Sequence, residues 1–393
     1  MILLYISYWR AADPLTTSTV VTHLSIAAEL PHVEKIILVT LESRTLPVPS
    51  LTIPKTIHCP LYSANTGVGT LNQVLDFINQ PKKLAQLVEA HGAELILAKG
   101  VLAGALALKA SALCKVPFMV ESFEPHADYM VESHEWRKGG LKYFFLRRWE
   151  RLQMKKAQRL FTVSNNYKAL LQSEYHVEQV ATLPCCVDVN AFSFSEALRK
   201  NFRERLQINA DEVVGIYAGK FGGIYYDKEA YRVFALAANY FRRFRLIVLT
   251  PEAPEKLVPQ LMAAGLTREQ MEVRFVPHHE VPGWLSAADF AFATIKPAKS
   301  RKYCCPVKDG EYWASGLPIL LTDGVGDDYQ LLQQTQSGAI FDLNEATLMK
   351  GFATIAEILK DSRHRQRIHE IAVQHRSYDI TRQLYARWLK PLA

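Results

Sequence analysis

Val213-Val-Gly-Ile-Tyr217-Ala-Gly219-Lys220-Phe-Gly222-Gly223-Ile-Tyr-Tyr226-Asp227 is a short apolar run that breaks at glycines and hands over to a helical pattern. β-Branched and aromatic residues favour the extended chain, and glycine ends it. The same strand, loop and helix recur in both directions. Ahead of it, strands are predicted at Ile2–Ser7, Lys35–Leu41, Glu94–Lys99, Pro117–Phe123, Arg159–Val163 and Val180–Leu183. Helical patterns lie between them at Thr17–Leu30, Leu71–Ala90, Val101–Leu113, Gly140–Ala157 and Asn165–Glu174. Beyond it, strands are predicted at Arg245–Leu249, Glu272–Val276, Phe290–Ala293, Pro318–Leu321 and Ala339–Phe341. Such alternation is the pattern of parallel sheets covered on both faces, an α/β architecture.

Pro184–Asn190 carries proline and no periodicity, and the polar stretch Ser193–Gln207 follows it. This divides the chain into two Rossmann-like, doubly wound domains, 1–187 and 188–376. From Asn344 onward there is no strand signal. A helix over 377–393, containing the amphipathic stretch Ile380–Leu389, is expected to pack back on the first domain.

A length of 393 residues exceeds what one core usually supports, in keeping with two domains. With 49% apolar and 22% charged residues, disordered, collagen-like and disulfide-scaffold chains are excluded. The six cysteines, at 59, 114, 185, 186, 304 and 305, form no C-x-x-C, so reduced thiols are expected. The opening MILLYISYWR lacks a basic n-region and reads as a buried strand, so a cytoplasmic location is expected.

Open α/β sheets bind ligands outside the carboxyl ends of their strands, so two such sheets facing each other put the site in the cleft between them. The loop Gly219-Lys220-Phe-Gly222-Gly223 offers a cation and close backbone approach to a phosphate, with the helix from about Asp227 adding its dipole; flexible punctuation is the plain alternative. After Phe290–Ala293 come five cations in fourteen residues, then Glu311 on an otherwise apolar helix ending at Gly316. That suits an anionic ligand with hydroxyls, although a solvated basic loop also explains the charge run. Glu121, Glu124, His126 and Asp128 cluster in a proline-containing loop after the strand Pro117–Phe123, where acid, base or sugar-binding groups belong. In the first loop, Asp13 or Thr16 caps the next helix. Adjacent His278 and His279 have no third partner at ligand spacing, so no metal site is expected.

The order Gly219-Lys220, then Pro306-Val307-Lys308-Asp-Gly-Glu311-Tyr-Trp-Ala-Ser-Gly316-Leu-Pro318, then Gly324-Val-Gly326-Asp327, resembles the donor-binding half of family-four glycosyltransferases, which have the two-domain GT-B fold. The resemblance implies retaining transfer of a sugar from a UDP- or GDP-linked donor to a glycan or lipid-linked acceptor, with neither cofactor nor metal. It matches Glu311 to the second glutamate of the family's E-x7-E motif, a ribose ligand, and Lys220 to the cation that neutralises the diphosphate. It implies donor contacts from Gly222, Gly223, Tyr226, Pro277, His278, Tyr303, Cys305, Pro306, Val307 and Lys308. His126 and Glu124 become the catalytic candidates, and Arg10, Glu121 and Asp128 the acceptor contacts. The first glutamate of the motif is absent, because Tyr303 stands eight residues before Glu311. Two other readings therefore stay open: a non-catalytic nucleotide-sugar-binding regulator or scaffold, and another GT-B enzyme such as a sugar-nucleotide epimerase.

Segment 137–159 holds nine cations against Glu150 alone, interleaved with aromatic residues, which accounts for the chain's net +7. A helix lying on anionic lipid at the inner face of the plasma membrane fits this pattern, as does a core helix with a basic face. No nucleic-acid-binding motif accompanies the cations.

Overall fold

The computed structural model describes residues 1–67 and 69–390, with the side chains of 69, 70 and 73 excepted. Residues 391–393 of the expected closing helix lie outside the described residues. The chain divides into two compact units. Unit 1 is Met1–Leu183 together with the chain from Asp379, and unit 2 is Pro184–Tyr378.

Unit 1 contains β1 (Ile2–Ser7), β2 (Lys35–Glu42), β3 (Thr56–His58), β4 (Leu61–Tyr62), β5 (Leu95–Lys99), β6 (Phe118–Phe123), β7 (Arg159–Thr162) and β8 (Val180–Thr182). Its helices are α1 (Val21–Glu29), α2 (Gly69–His91), α3 (Gly100–Cys114), α4 (His126–Glu132), α5 (Leu141–Lys156) and α6 (Asn165–Tyr175). The sheet runs β3-β2-β1-β5-β6-β7-β8, with β4 beside β2, and its pairs are parallel. Leu3–Ile6 is buried throughout, as a strand covered on both faces must be. The helix expected from Thr17 opens instead with a π-turn over Thr16–Val20 before α1. After Val120 the pairing of β6 with β7 shifts, and Ser122 sits at φ +55°, so the strand end is re-aimed.

Unit 2 contains α7 (Glu196–Arg205), β9 (Val213–Ala218), α8 (Lys228–Tyr240), β10 (Phe244–Leu249), α9 (Pro254–Ala263), β11 (Met271–Arg274) and α10 (Val281–Ala287). It continues with β12 (Phe290–Ala293), α11 (Val307–Ala314), β13 (Ile319–Thr322), α12 (Asp328–Thr335), β14 (Gly338–Phe341), α13 (Glu345–Lys360) and α14 (His364–Arg376). Sheet order β11-β10-β9-β12-β13-β14 is the doubly wound arrangement. Side chains alternate between two cores: Ile216, Ile247, Ala291 and Leu321 join Trp284 and Trp313 on one face. Tyr217, Val248, Phe292 and Leu320 join Phe234 and Leu257 on the other. The last helix, α15 (Tyr378–Trp388), returns the chain to unit 1.

Candidate functional site

In unit 2 the strand order reverses between β9 and β12, which pair through Phe290 with Gly215 and Ala291 with Ile216. The loops leaving these two strands lie side by side at that switch point, stitched by Lys296 N donating to Ile224 O (2.8 Å) and Tyr226 N to Thr294 O (2.9 Å). Gly222 and Gly223 have φ of +75° and +60°, a turn that a Cβ would strain. A Cβ on Gly219 would meet Lys308 Nζ at 3.0 Å, so this glycine admits the lysine that α11 sends back over the loop. Lys308 also lies 4.9 Å from the centre of the Tyr225 ring. Lys220 is exposed at the loop tip.

Glu311 sits in α11, buried, with His278 Nε2 on its Oε1 at 2.7 Å. That bond raises the pKa of His278 against the effect of burial, and the imidazole packs 5.4 Å from the ring of Phe192. No side chain caps the amino end of α11, which follows Pro306. Thus Gly219, Lys308, His278 and Glu311 are brought to the carboxyl edge of the sheet, with Lys308 and Glu311 one turn apart on α11. Tyr303 is half-buried with Lys302 Nζ 4.9 Å from its ring centre.

Several expected contacts are corrected. Tyr226 is buried in the core beside Phe234, and half-buried Tyr225 turns the other way, under Lys308, because alternation along the extended segment sends neighbours opposite ways. The Cys305 thiol turns inward to Cys185 N (3.2 Å) and the Arg376 guanidinium, which also binds Asp328, so any donor contact of Cys305 falls to its backbone N–H, as expected from the resemblance. The amino end of α8 is capped by the Asp227 carboxylate, so its dipole already faces an anion of the chain itself. Arg301, counted among the loop's cations, is buried.

In unit 1 the loop expected after β6 is shorter than predicted: Glu121 lies within the strand and α4 begins at His126. His126 Nδ1 is 3.0 Å from Glu124 Oε1, and its ring faces Tyr129 and Trp136. Burial would lower the pKa of His126, but the hydrogen bond and charge of Glu124, with Glu150 behind, raise it above its ordinary value. Asp128 accepts from the Tyr143 hydroxyl at 3.0 Å and pairs with Arg147 at 3.3 Å. Glu150 was not foreseen. It is fully buried, accepts from Ala127 N at 2.8 Å and meets Arg147 at 3.3 Å. Its spacing from His126 gave no local signal, since α5 brings it in from another element.

Glu121, expected at the acceptor, is instead enclosed by Lys99, His23 (2.7 Å), Tyr5 (3.5 Å) and Tyr385. Burial would raise its pKa, but Lys99 and His23 outweigh that and hold it well below the carboxylate range. A central strand directs this short side chain inward, away from ligands. Arg10 is exposed, and its carbonyl accepts from Asp13 N (3.0 Å) and the Thr16 hydroxyl (2.7 Å).

A further cavity of unit 2, lined by Arg199, Asp289 and Arg365, lies at the opposite, amino edge of the sheet near Val213. Its arginines bond carbonyls at the end of α10, such as Arg199 to Ala288 O at 3.0 Å, which is a structural role.

Residues 35–186 match the family described as glycosyl transferase 4-like domain. The match lies almost wholly within unit 1. Sucrose-phosphate synthase from Thermosynechococcus elongatus is similar over 99% of both chains, at 15% identity and a TM-score of 0.70. Anabaena HepE in complex with UDP is similar over 99% of both chains, at 14% identity and a TM-score of 0.71. WaaG, a glycosyltransferase involved in lipopolysaccharide biosynthesis, is similar over 99% of this chain and 100% of its own, at 14% identity and a TM-score of 0.66. Among curated proteins nothing matches. The solved structures share the two-sheet α/β fold of the whole chain, the GT-B type.

Proposed function

We propose that the chain moves a sugar, with retention of configuration and without a metal, from a nucleotide-sugar donor held by unit 2 to a glycan or lipid-linked acceptor held by unit 1. The observation that carries this reading is buried Glu311 with His278 at 2.7 Å, beside a glycine loop covered by Lys308. A carboxylate there accepts from ribose hydroxyls, and a fixed cation stabilises the departing diphosphate. In the proposed step the bond from the anomeric carbon to the diphosphate breaks as the acceptor oxygen attacks from the same face, and the leaving phosphate oxygen takes the acceptor proton. His126, paired with Glu124, acts beside the reacting sugar. HepE is known in complexes with UDP and with UDP-glucose, which makes uridine the first base to test.

Tyr303, in place of the first motif glutamate, favours a second reading, a nucleotide-sugar-binding regulator without turnover. Incubation with labelled UDP- and GDP-sugars, scoring binding, hydrolysis and epimerisation, separates the readings: turnover supports the transferase, binding alone supports the regulator, and loss of both removes the donor site.

The reading extends to location, at the cytoplasmic face of a membrane. Leu141 and Phe144 are 91% and 61% exposed on α5, next to Lys142, Arg148 and Arg151, as an interfacial helix requires. Among the described residues no helix is long and apolar enough to cross a membrane.

A further inference from the structure

Unit 1 holds a cavity that none of the residues above uses. It has a volume of about 460 Å³ and opens at the carboxyl ends of β2 and β4, against α2. Asp76 and Gln80, only 4% and 1% exposed, stand one turn apart on α2 and line it. Asp76 Oδ1 accepts from Ala64 N at 2.9 Å and from Gln80 Nε2 at 3.2 Å, and Gln80 Nε2 also donates to Tyr62 O at 2.9 Å. Those two bonds fix the amide, and its Oε1 is left buried with no partner among the described residues. A buried acceptor without a donor is costly, and an alcohol O–H supplied by a ligand relieves it.

The rim has different chemistry. The Tyr62 ring is 38% exposed, with the Arg44 guanidinium 5.9 Å from its centre, and Lys83 and Asn79 stand exposed on the same cavity. Neither Arg44 nor Lys83 has a carboxylate within ion-pair distance among the described residues. An aromatic face suits the C–H face of a sugar ring, buried amide and carboxylate groups suit its hydroxyls, and two uncommitted cations suit an acid group on it.

We propose that this cavity binds a sugar unit carrying an anionic group, phosphate or carboxylate. That the ligand is part of the acceptor rests on the function proposed above; that the cavity takes an acidic sugar does not.

The test titrates the full chain with glucose, glucose 6-phosphate, glucuronic acid and inorganic phosphate, followed by ligand-observed NMR. At least one acidic sugar is expected to bind tenfold or more tightly than glucose and than phosphate, and the tighter of the two tells phosphate from carboxylate. Arg44→Gln with Lys83→Gln, on the exposed rim, should bring the acidic sugar down to the level of glucose. Gln80→Leu should weaken both sugars about tenfold. UDP affinity, measured in parallel, should be unchanged in every variant. Absence of binding by both acidic sugars, equal binding of glucose, or an acidic sugar indifferent to the rim variant overturns the proposal. A chain that binds the acidic sugar but not UDP removes the donor site and leaves this one standing.

Discussion

At the residue scale the proposed donor site sets a cation and a carboxylate one turn apart on α11, beside a glycine loop. Lys308 reaches over that loop only because Gly219 leaves room for its ammonium. Glu311 is held in place by His278, so a bound ribose would exchange an imidazole for hydroxyls rather than meet an empty carboxylate. Glu311→Ala, Lys308→Ala and Lys220→Ala should each weaken nucleotide-sugar binding without unfolding the protein. A lost hydrogen bond to a charged group is worth ~1.5–3 kcal/mol, about ten- to a hundredfold in affinity. Calorimetry with the donor measures this, and unchanged affinity in the Glu311 and Lys308 variants would remove the site. On the other unit, His126→Ala should lower turnover far more than donor affinity, since a group beside the reacting sugar acts mainly in the transition state. Kinetics at saturating donor decide it; wild-type turnover would make His126 a bystander.

At the element scale, α4 owes its position to Glu150, which supplies the acceptor for Ala127 N from inside the unit. Burial, only partly offset by Ala127 N and Arg147, lifts its carboxyl from 4.5 to about 7. A carboxyl with a raised folded pKa stabilises the protein below its unfolded value, and that contribution is lost as pH rises towards the folded one. Wild type should therefore lose up to about 3 kcal/mol of stability relative to Glu150→Gln between pH 4.5 and about 7. Thermal melts across that range test this, and a gap between the two proteins that does not change with pH would refute it. His126, also raised, loses its own contribution above its folded pKa in both proteins. The long buried strands were legible because a sheet covered on both faces leaves unbroken apolar runs such as Leu3–Ile6. Strands β3 and β4 were not, since runs of three and two half-exposed residues show neither a buried apolar stretch nor a period. Helix α4 hid behind Pro125, and its cap comes from α5 rather than from its own sequence. The loops at the switch point were readable from glycines and charge; which tyrosine faced the loop was not, since only the stitching of Tyr226 to Thr294 settles the alternation.

At the scale of the whole molecule, the basic helix α5 is less uniform than its composition. Arg147 is spent on Asp128 and Glu150, and beyond the helix Arg159 is buried against the carbonyl of Trp388, which leaves, besides Lys142 at the start of α5, Arg148, Arg151, Lys155 and Lys156 exposed. Replacing those four by glutamine should release the protein from anionic vesicles, each cation near the surface being worth ~1 kcal/mol, while the fold persists through buried Leu146 and Met154. Flotation at graded anionic content, at low and high salt, measures it; a wild type that never floats would end the membrane reading. The division of the chain carries one more consequence. Unit 2 is continuous in sequence, whereas unit 1 is completed by α15, whose Tyr385 hydroxyl reaches Glu121 and His23. During synthesis on the ribosome the first unit therefore emerges with a buried carboxylate lacking one of its donors, and must wait, unfinished, for some two hundred residues of a second unit to be made before its own closing helix leaves the tunnel.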